Sequence, residues 1–171
     1  MGDDKLDYSI MTSLRKLWVK YKKGLSLPQN LEYLSIYGVN DRSRSLSILN
    51  LPQKIKELEI TRANIVSLEG IPEQTEMIGV YYSRSLKSLR GLIACKDNLT
   101  CLQMENCPNL DDYSELEFCR RIEKLLLLKC HEIPSVAFFS RLCQLKHVSL
   151  SGTKVQDGNY SYLSKILYNH Y

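Results

Sequence analysis

Apolar residues recur along this chain in short units that carry apolar side chains at relative positions 1, 4 and 6. Six such units begin at Leu31, Ile55, Thr75, Leu99, Ile122 and Leu145, in steps of 24, 20, 24, 23 and 23 residues. Among the three core positions of each unit, Thr75 is the only residue that is not apolar. Because strand side chains alternate between two faces, positions 4 and 6 predict the buried face of one short strand in each unit. The regular period indicates repeated strands stacked around one continuous core.

The residues within the units resemble the leucine-rich repeat family, whose signature is L-x-x-L-x-L-x-x-N/C-x-L. The first three units, such as residues 27–36, are similar to the L-P-x-x-L-x-x-L-x-I repeats of secreted bacterial effectors. Residues 99–110 and 122–133 resemble the cysteine-containing class of repeat, with Cys107 and Cys130 where other repeats carry asparagine. The resemblance implies an α/β fold, a right-handed solenoid of about six repeats whose parallel sheet lines the concave side.

The resemblance covers residues 25–157, and we expect helical caps at both ends because an open solenoid end leaves apolar surface exposed. Residues 1–24 predict an N-terminal amphipathic capping helix, with apolar residues at helical spacing, lysines in the last turn and a terminating glycine. Residues 158–171 predict a short C-terminal cap, because apolar residues follow Gly158 and Asn159 at helical spacing. An alternative for residues 14–21 is a strand of a degenerate extra repeat, since apolar residues there also match positions 1, 4 and 6.

Composition and charge fit one domain without a strong electrostatic preference. The 171 residues carry 23 basic and 19 acidic side chains, a net charge of +4. This mild excess does not indicate nucleic acid, whose binders concentrate lysine and arginine along one face. The basic cluster at residues 15–23 is interpreted as the solvated face of the capping helix, with an anionic membrane or RNA as the alternative contact. Neither a membrane-spanning run nor an apolar signal segment is evident, so we expect a cytoplasmic protein without membrane contact.

The cysteines, histidines and carboxylates follow no catalytic or metal-binding pattern. Five of the six cysteines repeat at the period of the units, Cys95, Cys119 and Cys143 in one series and Cys107 and Cys130 in another. This periodicity favours packing over a metal site or a disulfide, and no C-x-x-C pair is present. We therefore expect no metal, no cofactor and no enzymatic activity.

The candidate binding residues are those that the register places on the outer face of the predicted strands. Positions 3, 5 and 7 of each unit should project from the concave sheet, and position 8 should lie at its rim. Tyrosines and a methionine with carboxylates among them have the composition of protein-binding hot spots. The predicted partner-binding residues are Tyr33, Tyr37, Glu57, Glu59, Met77, Tyr81, Tyr82, Glu105, Leu126 and Leu128.

Two features of this face stand out. Leu126 and Leu128 place leucine on the side of a strand that faces water in a one-sided sheet. We favour a partner that covers them, with cover by the chain's own C-terminal segment or simple exposure as alternatives. Gly79, between Met77 and Tyr81, predicts a depression that receives a side chain of the partner.

The sequence therefore predicts a non-catalytic protein-binding module. The most specific hypothesis is a small cytoplasmic inhibitor or immunity protein that neutralises a bacterial toxin or enzyme. Glu57, Glu59 and Glu105 suit a basic target by electrostatic complementarity. The alternative is a bacterial effector or adaptor that selects a host protein through its repeats.

Overall fold

The computed structural model describes residues 7–163, which contain a single sheet of seven parallel strands. The strands are β1 (Lys16–Lys20), β2 (Tyr33–Tyr37), β3 (Glu57–Thr61), β4 (Met77–Tyr81), β5 (Cys101–Glu105), β6 (Lys124–Leu128) and β7 (His147–Ser149). Each strand pairs with the next strand in sequence, so the order across the sheet is the order along the chain. Every unit thus adds one strand to the sheet, an organisation that is consistent with a solenoid-like α/β fold.

Short 3₁₀ helices form the layer that returns the chain from one strand to the next. They are η1 (Leu46–Leu49), η2 (Leu92–Cys95), η3 (Ser114–Phe118) and η4 (Ala137–Arg141). Each of them buries at least one apolar side chain in the common core, for example Leu92 of η2 and Leu116 of η3. The core therefore lies between the inner face of the sheet and this 3₁₀ layer.

The strands pair in the register that the 1, 4, 6 pattern predicts. Leu34 pairs with Leu58, and Leu58 with Ile78, so residues at position 4 stack from strand to strand, and all three are fully buried. The polar exception, Thr75, is also fully buried, and its hydroxyl donates a hydrogen bond of 2.8 Å to the Pro72 carbonyl. This bond satisfies the hydroxyl, so the polar residue is accommodated in the apolar column.

The predicted N-terminal capping helix of residues 1–24 is wrong over the residues that the structure describes. Residues 16–20 form strand β1, which pairs in parallel with β2 and adds a seventh strand to the six predicted. Leu17 is buried, and Leu14 and Val19 pack against the core, as the extra-repeat alternative requires. The apolar spacing of this segment fits both periods, and pairing with the open edge of β2 satisfies backbone groups that a capping helix would leave exposed there. Residues 1–6 lie outside the described part.

The predicted C-terminal cap of residues 158–171 falls only partly within the described chain. Residues 161–163 form a helical turn, and Tyr162 and Leu163 pack against the core. Val148 and Leu150, at the last strand of the sheet, are only half-buried. Residues 164–171 lie outside the described residues, so the cap stays a prediction.

The column in which leucine-rich repeats usually carry asparagine uses other hydrogen bonds here. The Thr153 hydroxyl donates to the Leu127 carbonyl at 2.8 Å and accepts from the Cys130 amide at 2.9 Å. Val39 and Ala63, in the same column of the first two units, cannot bond through their side chains. There Asn64, the residue after Ala63, donates to Asn40 Oδ1 and to the Asp41 carbonyl, both at 2.9 Å.

The cysteines that follow the repeat period are largely packing residues in the structure. All six cysteines are free thiols. Burial raises the pKa of both Cys95 and Cys119 to about 12, so these thiols stay protonated near neutral pH. Cys143 departs from its series because its side chain is exposed.

One glycine allows adjacent turns of the return layer to approach closely. Gly91 has a φ of +113°, and its amide donates to Glu115 Oε2 at 2.9 Å. A Cβ at this position would overlap the backbone carbonyl of Leu68. Gly38 also has a positive φ, +76°, but a Cβ there would meet no atom within 4 Å.

These two glycines give a matched prediction. Gly38→Ala should lower the free energy of unfolding by about 1–2 kcal/mol, the usual cost of a left-handed backbone at a residue with a side chain. Gly91→Ala should lower it by about 3 kcal/mol or more, because steric overlap with the Leu68 backbone adds to that cost. Urea unfolding followed by circular dichroism measures both values. Equal losses in the two variants would contradict the close approach at Gly91.

Candidate protein-binding face

The side chains at positions 3, 5 and 7 of the seven strands project from the sheet on the side away from the core, and we call this side the open face. Nine of the ten predicted binding residues lie on it, and Tyr82 lies at the rim, one residue past β4. Tyr37 and Tyr82 are exposed, at 41% and 50%. The other eight, Tyr33, Glu57, Glu59, Met77, Tyr81, Glu105, Leu126 and Leu128, are half-buried.

Aromatic side chains lie on three of the first four strands of the open face: Trp18 on β1, Tyr33 and Tyr37 on β2, and Tyr81 on β4. The Tyr33 hydroxyl donates a hydrogen bond of 2.8 Å to Glu59 Oε2 on the neighbouring strand. The Trp18 ring lies against Tyr33, with the ring centroids 4.8 Å apart. Burial and the Glu59 carboxylate raise the pKa of Tyr33, which keeps the phenol neutral and donating. Tyr33 is therefore held in place by contacts with both neighbouring strands, β1 and β3.

The depression predicted at Gly79 is absent, because the ring of Tyr81 lies across this glycine. A Cβ added to Gly79 would stand 2.8 Å from Tyr81 Cε2 and 2.9 Å from its Cζ. Gly79 is consequently buried even though it lies on the open face. The prediction that a partner side chain fits there is wrong, since the glycine makes room for a tyrosine of the same strand.

The position of the Tyr81 ring also changes the acidity of its hydroxyl. Burial, with the negative charge of Glu59 next in weight, raises its pKa from 10.0 to about 12. Because the folded chain favours the neutral phenol, this contribution to stability is fully present below pH 10. It is lost as the pH rises through about 12.

The two leucines on β6 form a separate apolar spot. Leu126 pairs with Gln103 of β5 and Ser149 of β7, and Leu128 pairs with Glu105. Both leucines are half-buried within the described chain, so an apolar surface remains between polar neighbours. One strand, β5, separates this spot from the aromatic residues of β4, a gap of about 10 Å at the usual strand spacing.

Strand β1 contributes three residues that the sequence-based site prediction missed. Lys16, Trp18 and Lys20 alternate along β1 on the open face, and Trp18 is 64% exposed. The signal was present in Leu14, Leu17 and Val19, which match positions 1, 4 and 6 of the repeat unit. The apolar residues of this segment also fit the spacing of a helix, which is why a helix was predicted there.

Charges on the open face are unevenly distributed. Lys16 and Lys20 lie at its first strand, and Glu57 and Glu105 lie on β3 and β5. Glu57 has no ion-pair partner among residues 7–163, and Glu105 accepts only a side-chain bond from neighbouring Asn106, at 3.2 Å. Carboxylates without a cationic partner are available to basic residues of another molecule.

The rim of the face has a common backbone conformation. The residue at position 8 has a positive φ in every one of the six units. These residues are Gly38, Arg62, Tyr82, Asn106, Lys129 and Gly152. Each turn therefore leaves its strand in the same direction, which aligns the rim side chains in a row.

No protein-family model matches this chain, and a search of curated proteins finds no matching relative. Within residues 7–163, no three His, Cys, Asp or Glu side chains are grouped so that they could hold a metal ion. No helix in that same part of the chain is both long and apolar enough to cross a membrane.

The contact between Gly79 and Tyr81 leads to a prediction on pH dependence. In the unmodified protein, the Tyr81 Cζ signal in carbon NMR should titrate near pH 12. Gly79→Ala should displace the flexible ring tip from its place, expose the hydroxyl and lower this pKa toward 10. Ser149→Ala, at the equivalent position of β7 and three strands away, is the control and should leave the titration unchanged. A Tyr81 signal that titrates with exposed tyrosines in the unmodified protein would contradict the packed ring.

Proposed function

We propose that this chain is a right-handed leucine-rich repeat solenoid that binds another protein through the open face of its sheet, without catalysis. The observation that carries the proposal is the set of large aromatic side chains on that face: Trp18 and Tyr33, whose rings are in contact across the adjacent strands β1 and β2, and Tyr81 on β4. The parallel connections favour the right hand, which such crossovers adopt almost without exception. The face is then the concave side of the coil, where repeat proteins offer extended surfaces to partners.

The composition of the open face favours a protein partner. Tyrosine and tryptophan bury large areas with few rotatable bonds, and they dominate the energetics of protein interfaces. Trp18 and Tyr37 are exposed enough to be covered by a partner, while Tyr33 is fixed by its hydrogen bond to Glu59. Binding to such a preformed surface loses little ordering entropy.

Within this class we propose a small cytoplasmic inhibitor or immunity protein, of bacterial origin, that neutralises a toxin or enzyme. The first three repeats have the bacterial form, which supports the origin. The carboxylates of Glu57 and Glu105 suit basic residues on the target and favour fast association with it. The alternative is a bacterial effector or adaptor that selects a host protein, since the same repeat form occurs in secreted effectors.

A substitution on the leucine spot tests whether the open face binds the partner. The partner is first isolated as the protein that co-purifies with the tagged chain from its native host in near-equal amount. Leu126→Gln should then weaken binding by about tenfold, because it removes one apolar contact of about 1.4 kcal/mol. Isothermal titration calorimetry with the purified partner measures the change.

Ile93 provides the matched control for this test. It is 48% exposed on η2, in the 3₁₀ layer and away from the open face. Ile93→Gln makes the same kind of apolar-to-amide change and should leave the affinity unchanged within about twofold. Equal losses in both variants, or none in Leu126→Gln, would place the interface elsewhere.

The inhibitor hypothesis has its own test. The purified chain, added in increasing amounts, should abolish the activity of the captured partner at a one-to-one ratio. Its co-expression should also restore growth to bacteria that produce the partner as a toxin. Trp18→Ala should require more protein for the same inhibition, because the exposed ring is lost from the face. A partner that keeps full activity when saturated with the chain favours the effector or adaptor alternative.

A further inference from the structure

A groove of about 590 Å³ runs along the rim beside the ends of β2, β3 and β4. It continues from the open face, since Tyr37 belongs to both. The polar side chains that matter for its chemistry are Tyr37, Asn40, Arg62, Asn64, Tyr82 and Arg84. The lining thus contains two arginines and no aspartate or glutamate. Its volume is in the range of sites that accept a few residues or a small ligand.

The two arginines lack acidic partners. Several other basic side chains form ion pairs, but neither Arg62 nor Arg84 does so within residues 7–163. Arg62 Nη1 donates to the Tyr37 hydroxyl at 3.0 Å, and the guanidinium carbon lies 5.8 Å from the centre of that ring. This contact positions one guanidinium group over an aromatic face and leaves most of its five N–H donors unused.

The amide groups of the groove are less available than the arginines. The Asn64 side-chain amide already donates to Asn40 and to the Asp41 backbone. The backbone amides of Arg62 and Tyr82 donate to carbonyls of the next strand, at 2.8 Å each. The groups free to bind a ligand are therefore mainly cationic, which calls for an anionic one. Guanidinium groups prefer carboxylate or phosphate oxygens, which accept two parallel hydrogen bonds.

We infer that this rim groove binds an acidic segment of a protein partner, whose carboxylate is received by Arg62 and Arg84. The inference rests on the proposed function, because it names the chemistry of one part of the partner. The groove is positively charged and Glu57 on the open face is negatively charged, so the proposed binding surface carries charges of both signs. Such a pattern specifies the orientation of a partner as well as its attraction.

A peptide segment fits the surroundings of the groove better than a nucleic acid does. On the strand next to the groove, Glu105 pairs with Tyr81 and would repel a continuous row of phosphates. A peptide carries its carboxylates on separate residues, and the apolar residues between them can lie on the exposed ring of Tyr82.

A titration with a defined probe tests the groove without knowledge of the partner. The nitrogen-15-labelled chain is titrated with an acetylated, amidated tri-glutamate peptide, and backbone and arginine Nε–Hε signals are followed by NMR. Signals of Gly38, Arg62, Tyr82 and Arg84 should shift and saturate, whereas a tri-glutamine peptide should leave them in place. Arg62→Gln and Arg84→Gln should each weaken binding by about fivefold or more. Arg120→Gln removes an exposed arginine outside the groove and should bind as the unmodified chain does.

The following results would overturn the inference. Shifts spread over the whole surface, equal shifts with tri-glutamine, or unchanged affinity in both groove variants would show that the groove does not select carboxylates. Stronger binding of a short oligothymidylate to the same residues would replace the acidic peptide by a nucleic acid. Because the titration uses no partner, its failure would leave the open-face proposal to the Leu126→Gln test, and the two can fail separately.

Discussion

The in-register pairing of successive parallel strands is the interaction on which the rest of this structure depends. No single unit can bury its own apolar side chains, because a strand and a short 3₁₀ turn enclose too little volume. Stacking Leu34 on Leu58 and Leu58 on Ile78 closes that core one unit at a time, and the same step satisfies the backbone groups of each strand. The first and last strands of the described sheet, β1 and β7, each have a neighbouring strand on one side only.

The same pairing organises the outer surface. Since side chains alternate along a strand, a register that buries positions 4 and 6 also aligns positions 3, 5 and 7 in columns on the open face. Tyr33 and Glu59 meet across the strands because both belong to those columns. The face is therefore a fixed array in which each residue has neighbours set by the repeat, and this rigidity is what a binding surface needs.

Aromatic, apolar and cationic side chains occupy separate places along that array. Aromatic side chains lie on β1, β2 and β4, an apolar spot lies on β6, and two arginines with no ion-pair partner among residues 7–163 lie at the rim beside β2 to β4. A surface with several separate contact types suits recognition of an extended partner surface.

The sequence by itself determined the period, the strand register and the residues that enter the core, because a buried column must be apolar at fixed spacing in every unit. It also placed the ten candidate residues on the outer face or rim, with Tyr81 and Glu59 outside and Ile60 and Val80 inside. The tertiary structure decided what local spacing left ambiguous. Residues 16–20 became a strand because the edge of β2 was there to pair with. The Tyr81 ring covers Gly79, and the Arg62 guanidinium lies over the Tyr37 ring. The sequence pattern could not predict these contacts, because they depend on side-chain rotamers and on neighbours from other strands or positions.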